Sequence, residues 1–151
     1  MHALEKIEQT AMRLLADNPD PVVRFRTLRD LLQRTPDDPE LQTAGRDLAK
    51  SANVRLLLEE QEADGSWGRF HSQNIKIKRN IPTTELGVMR ALALGLDRQQ
   101  KPLKKAVKYI VSVLDGDLPF PDRAENNPRW PIGSKLFPAT VLALIDPSHR
   151  A

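Results

Sequence analysis

Apolar residues recur at helical spacing from one end of this chain to the other, and proline-bearing breaks separate the runs. Leu4, Ile7, Ala11, Leu14 and Leu15 share one stripe of an opening helix. Asp17-Asn18-Pro19-Asp20-Pro21 ends it. Asp20 is a good N-cap, and Pro21 suits the first helical position, where no amide donor is needed. Val22, Phe25, Leu28, Leu31 and Leu32 form the next stripe, with Arg24, Arg26 and Arg29 for the outside. Thr35-Pro36-Asp37-Asp38-Pro39 repeats the break. A third stripe then runs through Leu41, Ala44, Leu48, Ala52 and Leu56, and Gly45 or Ser51-Ala52-Asn53 bends or splits it.

The second half follows the same grammar with longer connections. Residues 62–81 read as a loop opening on Asp64-Gly65. Thr83 is the expected cap of the next helix, Glu85 complements its dipole, and Leu86, Met89, Ala93 and Leu96 form its expected stripe. Gly87 and Ala91 keep part of that helix thin enough for close packing, and Gly95 is placed to end it. Lys101-Pro102 opens a fifth helix with Leu103, Ala106, Val107, Ile110 and Leu114 inward and Lys101, Lys104, Lys105 and Lys108 outward. Residues 115–135 read as a second loop, and a last helix runs from about Pro138 to Ile145. Only Asn74-Ile75-Lys76-Ile77-Lys78 alternates like a strand, and briefly. The expectation is an all-α chain of stacked antiparallel helical hairpins, one domain over residues 1–151.

Composition bounds the chemistry. The 151 residues contain no cysteine, so disulfides, thiolate nucleophiles and cysteine-ligated metals are excluded. No apolar run reaches the roughly 18 residues of a membrane span. Acids among the apolar residues of the first twenty argue against a signal peptide, and the expected compartment is the cytoplasm. The net charge of +3 is unevenly placed, because residues 1–68 carry −4 and residues 69–151 carry +7. Ten of the basic residues fall within 69–108, which favours an anionic partner or a solvated lysine face.

Two features repeat. Asp64-Gly65 returns as Asp115-Gly116, and Leu92-Ala93-Leu94 returns as Leu142-Ala143-Leu144, each about 50 residues on. A helical chain with that period stacks hairpins, each burying its apolar face on the next. Within the first repeat, the run from Leu56 through Gln61, Asp64, Gly65 and Trp67 to Gly68 resembles the QW repeat of the squalene-cyclase and prenyltransferase superfamily. Gln61, Gly65 and Trp67 match the three signature positions, and the second turn lacks the Gly-x-Trp. The resemblance covers residues 41–147 in organisation and implies part of an α/α toroid. In it, Gln61, Asp64, Gly65 and Trp67 are structural, tying adjacent hairpins together. A closed ring of six hairpins needs about 270 residues at roughly 45 each. The resemblance therefore implies an open crescent, a self-associated pair, or part of a longer chain. Residues 1–36 form an N-terminal hairpin, and Asp17 through Leu28 resembles the D-P-x-V-R turn of HEAT repeats, in which Asp and Arg bridge neighbours.

Catalysis is not implied along with the fold. The cyclase D-x-D-D acid is incomplete at both Asp37-Asp38 and Asp115-x-Asp117. The prenyltransferase zinc set needs a cysteine. His2, His71 and His149 lack zinc spacing, so neither a metal nor another cofactor is expected. No nucleophile elbow, phosphate-binding glycine loop or calcium loop appears. The candidate ligand-contacting residues are His71, Lys78, Arg79, Glu85 and Trp130. His71, Lys78 and Arg79 belong to the basic loop 69–80 at the head of a helix, where an N-terminus favours anions, and Glu85 is the carboxylate at that helix start. Trp130 faces the same rim or locks its loop. The expected function is a non-catalytic binding or interaction module, with the loops at 62–81 and 115–135 on one rim. Its partners would be a second copy, the rest of a longer chain, or an anionic or apolar small molecule. One alternative is a diverged terpenoid-cyclase-like enzyme with Glu85 as its acid. Another is a HEAT-like nucleic-acid binder using the basic 69–108 segment.

Overall fold

The computed structural model describes residues 3–17, 19–72, 75–123 and 128–149. His2, Asn18, Gln73, Asn74, Asn126 and Asn127 lie outside the described residues. Among the described residues seven α-helices follow in order, and the fold is all-α. They are α1 (Ala3–Ala16), α2 (Pro21–Arg26), α3 (Pro39–Lys50), α4 (Ala52–Glu59), α5 (Thr84–Ala93), α6 (Lys101–Asp115) and α7 (Trp130–Ile145). No helix is long and apolar enough to cross a membrane among the described residues. The chain divides into two compact units, Met1–Arg55 and Leu56–Ala151.

In the first unit the local signals act where they stand. Asp20 accepts the Val22 amide at 2.8 Å and Pro21 opens α2. Asp38 accepts from Glu40 and Leu41, and Pro39 opens α3. The Arg24 of the HEAT-like turn pairs with Glu40 of α3 at 3.4 Å. α2 runs on into a π-helical turn, Thr27–Leu31, which buries Thr27 and Leu28. Arg29 lies 4.9 Å over the Phe25 ring. Its bond to Asp30, with a second from Arg26, holds that carboxyl below the usual range. Two stripes are narrower than their spacing suggests. Ala11 and Leu15 of α1 are buried, but Leu4, Ile7 and Leu14 are exposed, and so is Leu31. The third stripe splits at Ser51, whose extended backbone ends α3. That break resets the helical phase, so Val54 is buried and Ala52 is not.

In the second unit, α5, α6 and α7 pack pairwise. Thr83 caps α5 through the Leu86 amide. Gly95 ends the helix with φ +87, its neighbour's amide reaching back to Ala91. The buried face of α5 differs from the expected stripe. Thr84, Gly87, Val88 and Ala91 face inward; of the expected stripe, Leu96 is buried and Leu86 half-buried, whereas Met89 is 47% exposed and Ala93 is exposed. The cause is Trp67, which is fully buried and packs directly against Gly87. A Cβ on Gly87 would sit 2.5 Å from Trp67 Cε3. Only glycine at position 87 admits the indole, and that places Gly87 and its neighbours Thr84 and Ala91 on the inner face. On α6, Tyr109 and Val113 are buried while Val107 and Leu114 are half-buried.

The last helix also differs from the expected one. It starts at Trp130 with Pro131 in its first turn and contains Pro138, so only 116–129 separates it from α6. Pro138 stands inside the helix and is fully buried.

Candidate functional site

The loop between α4 and α5 is closed at its base by charge. Glu60 accepts from the Asn80 amide (3.2 Å), from Asn80 Nδ2 (2.5 Å) and from the Ile81 amide (2.7 Å). Desolvation raises the Glu60 pKa, but these donors outweigh it and the net shift is downward. Arg79 donates from Nη2 to Glu62 Oε1 at 2.6 Å, a second closure beside the first.

The residues of the QW-like segment occupy the start of this loop. Asp64 accepts the Ser66 amide in a tight turn, and Gly65 adopts φ +100. A Cβ at Gly65 would sit 2.7 Å from the Lys105 carbonyl carbon of α6, so the turn and α6 are in backbone contact. Gln61 Nε2 donates to Gly65 O (2.9 Å) and to Pro102 O in the first turn of α6 (2.8 Å). Trp67 Nε1 donates to Leu57 O at 2.8 Å, and its backbone amide to Thr84 Oγ1 at 3.0 Å. Gln61 therefore joins the turn to α6, while Trp67 joins α4 to α5.

The expected anion site at the α5 N-terminus is filled from within. The Thr84 and Glu85 amides donate to the carbonyls of Arg69 (2.8 Å) and Phe70 (3.0 Å), and the Leu86 amide to Thr83 Oγ1. These first amides are already bonded and cannot also hold an outside anion. A carboxylate does bind this loop, and it belongs to the chain. Asp122, only 7% exposed, accepts from three successive amides: Phe70 (2.6 Å), His71 (2.9 Å) and Ser72 (2.6 Å). Successive amides converging on one carboxylate form an anion-binding nest. Sequence reasoning passed over Asp122. It lies in an aperiodic, proline-rich stretch, and nothing local reveals donors 50 residues away.

Three of the candidate residues, His71, Glu85 and Trp130, have partners near that nest. His71 Nδ1 lies 2.5 Å from Glu85 Oε2, and the imidazole stacks on Phe137 of α7 with centroids 4.4 Å apart and planes 8° from parallel. The His71 and Glu85 side chains are 46% and 39% exposed, so the pair lies at the surface. Trp130 is half-buried and meets Phe120 edge-on at 5.7 Å, and Phe120 packs against Phe70 at 5.5 Å. Phe70 stacks in turn on Tyr109 of α6 at 6.5 Å. Burial pushes the Tyr109 phenol up to about 12, with the charges of Asp64 and Asp122 adding to the shift. Lys78 is exposed, and Arg79 is half-buried against Glu62. The structure thus joins His71 to Glu85 and joins Arg79 to Glu62 instead. Among the described residues no three His, Asp or Glu side chains gather as a metal site would require. Comparison with protein-family models, with curated proteins and with solved structures finds no match to this chain.

Proposed function

We propose that the chain is a non-catalytic helical-repeat interaction module, resembling part of a squalene-cyclase or prenyltransferase-type toroid, that pairs with a second copy of itself. The observation that carries this reading is the surface of α7. Ile132, Leu136, Thr140 and Leu144 follow one another at four-residue spacing, and the three large ones are 68%, 58% and 50% exposed. A helix apolar on every side is ordinarily buried on every side. Lys135 is its only charged residue, so this ridge offers little to a charged partner. A matching apolar ridge satisfies it, and rows at four-residue spacing interdigitate between helices. The bonds of Gln61 to α6 and of Trp67 across the hairpin support the resemblance.

The catalytic alternative needs an isolated acid in an enclosed apolar pocket. Glu85 is instead partly exposed and bonded to His71, which favours the non-catalytic reading. The nucleic-acid alternative loses one of its cations to the Arg79–Glu62 pair.

Light scattering over a range of concentrations tests the proposal. At tens of micromolar the mass should be twice the 17.0 kDa of one chain. Leu136→Glu should return it to one chain with the helical circular dichroism unchanged. A monomer at every concentration would rule out the pairing.

A further inference from the structure

A different feature carries an inference of its own, independent of self-association. Gly68, Arg69, Ile77, Arg79, Pro82 and Pro121 line a concavity of about 180 Å³. Two of these residues are cationic, three present apolar walls, and none is acidic. Arg69 is half-buried and makes no side-chain hydrogen bond or ion pair among the described residues. Arg79 gives one bond to Glu62, which is not part of the lining, and a guanidinium has five donors. Gly68 keeps the wall open, because a Cβ there would stand 3.2 Å from Arg79 Nη1 and 3.4 Å from Pro82 O.

We infer that this concavity binds a small carboxylate with a compact apolar body. The planar fork of an arginine matches a carboxylate, and one unpaired guanidinium balances one negative charge. Inorganic phosphate suits the place less well. It carries more charge and needs more donors, yet the nearby α5 amides are committed to Arg69 O and Phe70 O. Ile77, Pro82 and Pro121 contribute only through apolar contact, which phosphate cannot use. The volume lies below the roughly 300–1,000 Å³ of pockets for drug-sized ligands, so the ligand is a small acid.

Phenylacetate is a suitable probe, titrated into the ¹⁵N-labelled chain with amide shifts followed by NMR. Saturable shifts should gather at residues 68–70 and 77–82, with a Kd on the order of 1 mM for a ligand of this size. Arg69→Gln should weaken binding about tenfold, as loss of a charge-assisted bond does. Glu62→Gln should tighten it severalfold by releasing Arg79. Ile77→Ala should weaken it about threefold without disturbing the fold, since Ile77 is 53% exposed. Benzyl alcohol and inorganic phosphate should each bind at least tenfold more weakly than phenylacetate. The assignment is overturned if phenylacetate shifts no residue of the concavity, or if phosphate binds equally well. It also fails if Arg69→Gln and Ile77→Ala both bind like the parent. Should Arg69→Gln not fold, the opposite responses of Glu62→Gln and Ile77→Ala decide the matter.

Discussion

Asp64-Gly65 and Asp115-Gly116 are the same dipeptide, the first in the loop after α4 and the second at the end of α6, and both glycines hold positive φ, at +100 and +84. Their surroundings differ. Gly65 presses its backbone onto Lys105 of α6, whereas a Cβ at Gly116 would meet nothing within 4 Å. The first turn is one face of a packed joint to which Gln61 and Trp67 also contribute. The second simply stops α6, and its loop is held further on, where Asp122 enters the nest of amides at Phe70, His71 and Ser72. Identical local chemistry thus serves a tertiary contact at one dipeptide and a helix end at the other.

The largest expected effect tests the first joint. Gly65→Ala should cost about 4 kcal/mol, because the methyl group meets a backbone carbonyl and the φ is unfavourable for alanine. Urea unfolding followed by tryptophan fluorescence reads this directly, since Trp67 and Trp130 both lie in the second unit. A cost below about 1 kcal/mol would show that the turn and α6 do not touch. Asp122→Ala tests the second loop. Leaving three amides without their carboxylate should cost about 3 kcal/mol in the same assay.

The next test uses pH. Tyr109 is the only tyrosine of the chain, so absorbance at 295 nm reports it alone. Its phenol should titrate near 12 in the folded protein and near 10 in denaturant. Between those values the unfolded chain loses a proton that the folded chain keeps. Stability should therefore be unaffected below pH 10 and fall by roughly 2 kcal/mol as pH rises to 12. Tyr109→Phe should remove that fall. The smallest effect completes the comparison with Gly65. Gly116→Ala meets only the φ penalty and should cost about 1 kcal/mol.

Much of the helical layout was legible residue by residue. Asp20 and Thr83 signal their caps because a side-chain oxygen bonds an amide two or three residues on. Pro21, Pro39 and Pro102 signal helix starts, and Gly95 signals a stop, for equally local reasons. Where apolar residues surround a helix, the pattern loses direction. α5 has Leu86, Val88, Met89, Ala91, Leu92 and Ala93 in succession, and spacing alone favoured the bulkier stripe. In α7, Pro138 suggested a start that belongs two turns earlier, because its neighbours tolerate it inside the helix. Of the candidate residues, His71 and Glu85 stand 14 residues apart on either side of one helix start, and the structure brings them into contact. Lys78 and Arg79 stand out as cations of the basic loop 69–80, and that pattern carries no information about the Glu62 partner of Arg79.

The amino-acid sequence by itself determined that this chain is helical, where most helices begin and end, and that cysteine chemistry is absent. Those properties depend on bonds within one turn and on which atoms exist. Tertiary structure alone decided which face of α5 is buried, that Asp122 serves as the anion of its own loop, and that Arg69 and Arg79 share a concavity. Each of those depends on groups many residues apart meeting at a few ångströms, and one-dimensional spacing does not encode such distances.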